Sequence, residues 1–552
     1  MTSTLPQPFP RLASISDDHN PAIRLVGKRF IADQSPIELL TELMAVLFCR
    51  KRLGLTMSVG SPLPELASIR SWPAGIALEY RPQIKLNLKL FAFLACSRLD
   101  SRDDVHKQQY RTLIGRLCRA TESTGNGTEG AAERLEQLLA GFQGVGANRT
   151  WCAQTFFPIS AALLTQETLW NETEARRNRP LDWADAVDRF HTYFSVSRHR
   201  FLARGGELLY LQLCNALRTD TTLLGAFVDR LRSVEQASIS AAEADPSQLW
   251  ECLNAGFEAL GRPQSPAFDR LIDLIENLDP ETHRALNQAD GRDQGWLSCE
   301  WCPEEGWPEG YLFAVELARV LQATLDPVER IEVLTTGCCL QVLRSLSAQS
   351  ARYAGLPLTG APLGYCWLFA PAEGASRPLR LASQRNLQVV LGRIQKALRA
   401  PALEANAHGD TKPVETLYRE ADSKYGHKLF LALGKRLGLI IPKRGAGARF
   451  AMTEDVLRYL VLALLRPGER CTYDSFLNRL YLHYGIAIEG DLLSEAARWS
   501  DLPPTASIQP GRGSWLADAL RAGGFLVQLS DACAVVRNTY APDERSNEGG
   551  GR

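Results

Sequence analysis

The sequence predicts a mainly α-helical protein of the α+β class, built from several domains. Apolar residues recur at the three-to-four-residue spacing of helices through most of the chain. Alternating apolar and polar residues, which are typical of half-buried strands, occur only in short runs. Because 552 residues exceed what one hydrophobic core usually holds, we expect about three or four domains.

The composition is typical of a globular protein, and neither positive nor negative charge predominates. Hydrophobic residues make up 45% of the sequence, and 62 Lys and Arg balance 62 Asp and Glu. Because the net charge is zero, any attraction to nucleic acid or to anionic lipid must come from locally segregated charge. A surface that binds a polyanion would therefore be a local patch.

Three features predict a cytoplasmic protein without membrane contact. The N-terminal residues lack the charged head and apolar run of a secretory signal. The longest apolar stretch, residues 86–96, is far shorter than the ~20 residues of a membrane-spanning helix. Most of the 13 cysteines lie in apolar periodic stretches, where reduced thiols behave as small buried hydrophobes.

The N-terminal part predicts a flexible arm over residues 1–34 and a small α/β domain over residues 35–130. The arm is rich in Pro, Ser and Asp. Ser35, Pro36 and Glu38 form a capping-box pattern that starts a helix.

Within this small domain, two runs with a period of two predict a pair of half-buried strands over residues 76–80 and 84–90. A helix is expected over residues 104–121. Residues 131–400 show helical periodicity and form a helical region, either one unit or two subdomains. Residues 401–413, rich in Ala, Pro, Gly and His, form a linker.

The segment 414–466 shows the order of elements found in a winged helix. Two helices, over residues 415–423 and 425–437, precede two short strands over residues 439–441 and 449–452. In winged helices the second of these helices usually enters the major groove of DNA, and the hairpin contacts phosphate or the minor groove.

The charges of this first winged-helix module fit that geometry. Between Lys424 and Arg449 there are seven Lys or Arg residues and no Asp or Glu. A cluster of this kind can neutralise several phosphates. The alternatives are a solvated basic face or a docking site for an acidic protein. The predicted DNA-binding residues are Lys428, Lys435, Arg436, Lys443, Arg444 and Arg449.

Residues 467–540 predict a second, winged-helix-like module with a helix followed by a hairpin. It is nearly neutral, which favours a structural or protein-docking role. Residues 541–552 are expected to form a disordered tail.

No catalytic or metal-binding constellation emerges from the motifs, and we expect no cofactor. The chain has no Gly-Lys-Ser/Thr phosphate loop. Cys299 and Cys302 have zinc-ligand spacing without a second pair, so a tight turn is favoured over a metal site. Arg204 and Glu207 flank two glycines and suggest a charged pocket. The alternative is an Arg–Glu pair that caps a helix starting at Glu207.

Three stretches, residues 151–158, 203–207 and 529–538, together resemble uncharacterised accessory proteins of bacterial anti-phage defence islands, in particular of methylation-associated defence systems. The likeness covers about a fifth of the chain and contains no catalytic motif. It implies a role beside a methyltransferase and a nuclease or helicase, as a DNA-recognition or assembly subunit.

The sequence therefore favours a non-enzymatic, DNA-binding subunit of a bacterial multiprotein system, with DNA and other protein subunits as partners. One alternative is a divergent metal-dependent nuclease with its active site around Glu79 and Lys85. The other alternative is a scaffold whose winged helices bind only protein.

Overall fold

A computed structural model shows a mainly helical protein with six small sheets among its described residues. The predicted mainly α, α+β class is thereby confirmed. The structure describes residues 5–11, 20–27, 30, 32, 34–54, 57–94, 104–122, 130, 132–135, 137, 164, 169–195, 205–262, 266–282, 284, 296–355, 357–403, 413–502, 514–530 and 533–541.

The helices of the first half of the chain are α1 (Pro21–Val26), α2 (Pro36–Phe48), α3 (Leu66–Arg70), α4 (Leu86–Leu94), α5 (Asp104–Glu122), α6 (Glu172–Arg177), α7 (Trp183–Asp188), α8 (Phe190–Tyr193), α9 (Gly205–Arg218), α10 (Thr221–Val234), α11 (Ala241–Ala244), α12 (Pro246–Gly261) and α13 (Pro266–Asn277). Those of the second half are α14 (Trp307–Gln322), α15 (Pro327–Tyr353), α16 (Arg377–Ala397), α17 (Val414–Glu420), α18 (His427–Leu437), α19 (Glu454–Leu464), α20 (Tyr473–Tyr484), α21 (Gly490–Trp499) and α22 (Trp515–Ala522). A π-helix, Ala421–Tyr425, and two 3-10 turns, Glu304–Gly306 and Pro401–Leu403, complete the helical part.

The strands are short. They are β1 (Pro8–Phe9), β2 (Arg50–Leu53), β3 (Met57–Val59), β4 (Leu78–Arg81), β5 (Leu169–Trp170), β6 (Phe194–Ser195), β7 (Leu297–Cys299), β8 (Cys302–Pro303), β9 (Trp367–Leu368), β10 (Ile440–Ile441), β11 (Arg449–Phe450), β12 (Arg470–Thr472), β13 (Ile486–Ala487), β14 (Leu526–Ser530) and β15 (Cys533–Arg537). The largest sheet has the order β3-β2-β4-β7, and a three-stranded sheet has the order β12-β15-β14.

Helix boundaries follow the capping signals in the sequence. At the start of α2, the side chain of Glu38 accepts a hydrogen bond from the Ser35 N–H, as in the predicted capping box, and Pro36 occupies the first turn. At the start of α15, the side chain of Asp326 accepts a hydrogen bond from the backbone N–H of Val328. These short-range signals act alike in any fold, because every helix N-terminus leaves backbone donors to satisfy.

The strand predicted over residues 84–90 is wrong, because this segment forms α4. The alternation arises in a helix whose described side chains are buried, with Leu86, Leu88 and Leu90 fully buried. Asn87 is also buried, and its amide donates to the carbonyl oxygens of Ile275 and Glu276. The predicted strand over residues 76–80 is confirmed as β4, which pairs with β2 and β7 instead.

The described part of the predicted N-terminal arm is packed against the rest of the protein. β1 pairs with β8, and Phe9 is buried. In α1 five of the six residues are buried. The amide of Asn20 donates to the carbonyl oxygen of Leu417, and Ala32 N–H donates to Lys424 O. The arm prediction is therefore wrong for these residues, since composition alone does not show where an apolar segment docks.

One hydrophobic core runs through most of the described chain, from Phe9 to Val536. It includes residues from four of the predicted domains, such as Leu40, Leu343, Leu460 and Val536. A second cluster joins α4 and α5 with residues 183–194 and 272–278, and a third lies between residues 361–382 and 481–497. Among the helices of the described residues, none is long and apolar enough to cross a membrane.

A buried ionic cluster lies where α14, α15 and α20 meet. Arg344 donates to both carboxylate oxygens of Glu316 at 2.7 and 2.9 Å, and both side chains are fully buried. His483 Nδ1 lies 2.9 Å from Glu316 Oε1, and the hydroxyl of Tyr484 donates to Glu316 Oε2 at 2.5 Å. Although burial raises the pKa of a carboxyl group, Arg344 and His483 hold the pKa of Glu316 below its usual value.

A second buried ion pair lies one turn further along α14. Arg319 contacts Glu243 at 2.7 and 3.0 Å and also donates to the carbonyl oxygens of Ser238, Ala463 and Leu464. All the donors of this guanidinium are thus used by neighbouring elements, as a buried charge requires. The two clusters tie the helical region to the C-terminal part of the chain.

We expect Arg344→Met to lower the free energy of unfolding by about 3–5 kcal/mol, because it leaves the buried Glu316 carboxylate without its cation. Urea denaturation measures this change. Arg521→Met is the matched control, because Arg521 and its partner Asp518 are exposed and such a pair contributes under about 1 kcal/mol. Equal losses in the two variants would contradict a stabilising role for the buried pair.

Candidate nucleic-acid interface

Helix α18 carries the first group of predicted DNA-binding residues. Leu429, Phe430 and Leu433 form its buried face, and Lys428 is exposed. The helix ends at Gly438, which adopts a left-handed conformation at φ 80°. The predicted helix over residues 425–437 is therefore confirmed from His427 onward.

The β10–β11 hairpin follows α18 directly. Ile440 pairs with Phe450, and Ile441 pairs with Arg449. Residues 443–447 form an exposed tip that includes Lys443 and Arg444. Both predicted strands are present, although each is only two residues long.

Two of the six predicted DNA-binding residues make contacts within the protein. Arg436 Nη1 donates to the carbonyl oxygen of Gln34 at 2.6 Å, so its guanidinium helps to hold the N-terminal segment. Arg449 Nη2 donates to Ala372 O at 2.8 Å. Arg436 is exposed, as the helical pattern predicted, but its guanidinium also bonds to the N-terminal segment.

Helix α16 carries cations that are not among the six predicted DNA-binding residues. Residues 374–403 contain six Lys or Arg and no Asp or Glu. Arg377, Arg380 and Arg385 are exposed on this helix. This acid-free run was the available signal, but it lies before the predicted module, which starts at residue 414, and carries no motif of its own.

Hydrogen bonds place the hairpin on the N-terminal half of α16. Gln384 donates to the carbonyl oxygen of Gly447 at 3.2 Å, and the hydroxyl of Ser383 donates to Phe450 O at 3.1 Å. Ala370 N–H also donates to Phe450 O at 3.2 Å. Two acid-free segments, residues 374–403 and 424–449, therefore meet here.

We call this region the basic surface and define it by five cations. Burial, followed by the nearby charge of Arg380, lowers the pKa of the Arg449 guanidinium, so cations of α16 and β11 lie close enough to repel each other. Glu373 is exposed in the loop before α16. No ion pair joins an acidic residue to these cations within the described ranges. The residues of the basic surface are Arg377, Arg380, Lys443, Arg444 and Arg449.

Lys428 and Lys435 of α18 lie on a helix that packs against α16. Lys428 is exposed and Lys435 is half-buried. Neither side chain pairs with a carboxylate in the part of the chain that the structure describes. Lys428 and Lys435 thus add further positive charge beside the basic surface.

The predicted pocket at Arg204 and Glu207 is a buried helix junction as far as the structure describes it. Arg204 lies outside the described residues. Glu207 is fully buried, and Tyr80 donates to its Oε1 at 2.5 Å. The helix starts at Gly205, two residues before the predicted start. A Cβ atom on Gly206 would lie 2.1 Å from the backbone nitrogen of Leu43, so glycine is required where α9 crosses α2.

The nuclease alternative placed Glu79 and Lys85 at one active site. Glu79 forms an ion pair with Arg52 at 2.6 Å, across neighbouring strands. Burial lowers the pKa of Lys85, while the carboxylates of Glu276 and Asp273 work to raise it. The two residues thus face different partners.

The cysteine pair and its surroundings also show no metal geometry. Cys299 and Cys302 are buried in β7 and β8, and burial raises the pKa of the Cys302 thiol. Across the described segments, no group of three or more His, Cys, Asp or Glu side chains could hold a metal ion.

We expect Glu42→Gln to flatten the pH dependence of stability. Burial raises the pKa of Glu42 from 4.5 to about 8, so the folded protein binds a proton that the unfolded chain releases. Its contribution to stability is therefore complete below about pH 4.5 and is lost as the pH rises towards about 8. Urea midpoints measured across this range test the prediction, and parallel curves for both proteins would contradict it.

We expect Arg436→Ala to lower the free energy of unfolding by about 1 kcal/mol, because the Gln34 carbonyl loses its charged donor. Lys443→Ala should leave stability unchanged, since Lys443 is exposed at the hairpin tip. Chemical denaturation of the two variants measures the difference. Equal stability of the two variants would show that the Arg436 contact contributes nothing.

Comparison of the chain with protein-family models, with curated proteins and with solved structures finds no match. Its functional interpretation therefore depends on the geometry and charge of its own residues. The feature that combines exposure with unneutralised charge is the basic surface on α16 and the β10–β11 hairpin.

Proposed function

We propose that this chain is a non-enzymatic DNA-binding subunit that holds the DNA backbone on its basic surface. One observation carries the proposal: two acid-free, cation-rich segments from different parts of the chain meet at an exposed hairpin and helix. Neither cation run alone distinguishes a binding site from an ordinary solvated face.

The electrostatics favour an anionic partner. Burial lowers the pKa of Arg449, and the nearby charge of Arg380 lowers it further, because like charges that lie close together repel. A phosphate backbone would neutralise these cations and release its own condensed counterions. The free energy gained on binding would therefore come mainly from charge neutralisation and would weaken with salt.

The scarcity of aromatic side chains on the basic surface favours double-stranded over single-stranded nucleic acid. Single-stranded DNA and RNA are commonly held by aromatic side chains that stack on the bases. Within α16 and the β10–β11 hairpin the one aromatic residue is Phe450, which is fully buried. Phosphate contact with a duplex is therefore favoured, and such contact positions a protein without reading sequence.

The order of elements supports a winged-helix interpretation of the C-terminal part. α18 followed by the β10–β11 hairpin has the helix-then-hairpin order of the first module. In the second module, β12 precedes the helices and pairs with the last strand of the β14–β15 hairpin. In DNA-binding winged helices the helix before the hairpin and the hairpin itself meet the duplex.

The cellular context of the proposal comes from the resemblance to accessory proteins of anti-phage defence islands. A subunit of such a system would hold DNA with its basic surface and dock other subunits through its remaining surfaces. Phosphate contacts alone would leave the choice of target sequence or modification to those partners.

We expect Lys443→Glu/Arg444→Glu to weaken binding of a fluorescent DNA duplex roughly tenfold or more at about 50 mM salt. Arg377→Glu/Arg380→Glu should have a similar effect, because these arginines lie beside the hairpin. The slope of log K against log salt should fall by about one unit for each phosphate contact removed.

The matched control is Arg176→Glu/Arg177→Glu on α6, which changes the net charge equally at another exposed site. It should retain near-normal affinity. Equal weakening in all three double variants would mean that net charge alone drives binding. The absence of duplex binding by the unchanged protein would reject the proposal.

A further inference from the structure

The β12-β15-β14 sheet has one packed face and one open face. Val536 and Leu526, which pair in register, are buried on the packed side, together with Leu516 and Leu520 of α22. Side chains on neighbouring positions of a strand point to opposite faces. The residues that alternate with these buried ones therefore form the open face.

Two arginines lie directly opposite each other on the open face. Arg470 of β12 pairs in register with Arg537 of β15, and both side chains are exposed. Like charges opposite each other in an antiparallel pair destabilise the sheet. Neither arginine forms an ion pair in the described part of the chain, although Arg479 and Arg521 of the same module do.

Apolar side chains continue the same face beside the arginines. Val527 pairs in register with Val535, and Val535 also lies opposite Thr472. Val527 is 36% exposed, and Leu529, which lies at the register irregularity between Gln528 and Ser530, is 66% exposed at the end of the same strand. β14 is an edge strand of this sheet, so the apolar residues lie at its rim.

We propose that this open face docks a protein segment in which carboxylates lie next to aliphatic or aromatic side chains. The carboxylates would pair with Arg470 and Arg537, and the apolar side chains would cover Val527, Val535 and Leu529. Successive rows of the sheet are about 7 Å apart along a strand, which matches alternate residues of an extended peptide.

Charge complementarity identifies the partner as acidic protein rather than DNA. The phosphates of DNA could pair with the two arginines. The three aliphatic side chains would then remain in contact with water or with the sugars. An acidic segment with apolar neighbours would satisfy both parts of the face. This inference is independent of DNA binding by the basic surface, which lies on other elements.

The structure suggests a variant that separates a binding role from a structural one. Arg470→Glu places a carboxylate opposite Arg537 and replaces repulsion with a cross-strand ion pair. It should therefore raise the urea midpoint of the protein slightly while removing the anion-binding pair. Val527→Ser/Leu529→Ser tests the apolar half, and both side chains are exposed.

The experiment selects peptides from a random displayed library on the full-length chain and then measures their affinities as synthetic peptides. We expect the selected peptides to combine Asp or Glu with Leu, Ile, Val or Phe. Arg470→Glu and Val527→Ser/Leu529→Ser should each weaken binding about tenfold or more. Lys443→Glu/Arg444→Glu should leave peptide affinity unchanged while weakening DNA binding.

Three results would overturn the inference. Selected peptides that bind Arg470→Glu as well as the unchanged protein would show that the face is not their site. A fall in duplex affinity in Arg470→Glu as large as in Lys443→Glu/Arg444→Glu would show that the arginines serve DNA. Self-association that is lost in Val527→Ser/Leu529→Ser would assign the face to a second copy of the chain.

Discussion

The buried carboxylate of Glu316 is the interaction on which the arrangement of the C-terminal half depends. It joins α14 to α15 through Arg344 and to α20 through His483 and Tyr484. A carboxylate that is shielded from water needs cations and hydrogen-bond donors at fixed positions around it. Leaving it unpaired costs far more free energy of folding than losing an apolar contact. The three helices can therefore cross only in a geometry that satisfies one carboxylate.

That constraint extends to the basic surface through a short series of contacts. Arg344 also donates to the carbonyl oxygen of His483, near the end of α20. Gly485 follows in a left-handed conformation, and a Cβ atom there would lie 2.7 Å from Tyr365 O. Trp367 N–H donates to Gly485 O, and β9 then pairs with β13.

From β9 the chain reaches the hairpin and α16. Ala370 bonds to Phe450, and Ser383 of α16 bonds to the same carbonyl oxygen. The cations of the two segments are thus held in place mainly by backbone hydrogen bonds and packing, to which Arg449 adds its bond to Ala372 O. A binding surface built in this way can be rigid although its charged side chains are exposed.

The sequence by itself determined the local features of this protein. Capping residues such as Ser35 and Asp326 mark helix starts by local hydrogen bonding. The apolar stripe of α18 and the hairpin that follows could be predicted because each of these patterns lies within a few residues. The Lys and Arg residues of the hairpin, which have no Asp or Glu near them in the sequence, could be predicted for the same reason.

Only the tertiary structure decided which distant segments meet. Residues 86–94 form a helix whose Asn87 donates to carbonyl oxygens of α13, and the N-terminal segment packs against the C-terminal module. The tertiary structure also brought Arg380 to Arg449 and set Arg470 opposite Arg537. Such pairings join residues that are tens to hundreds of positions apart, which periodicity and local charge do not specify.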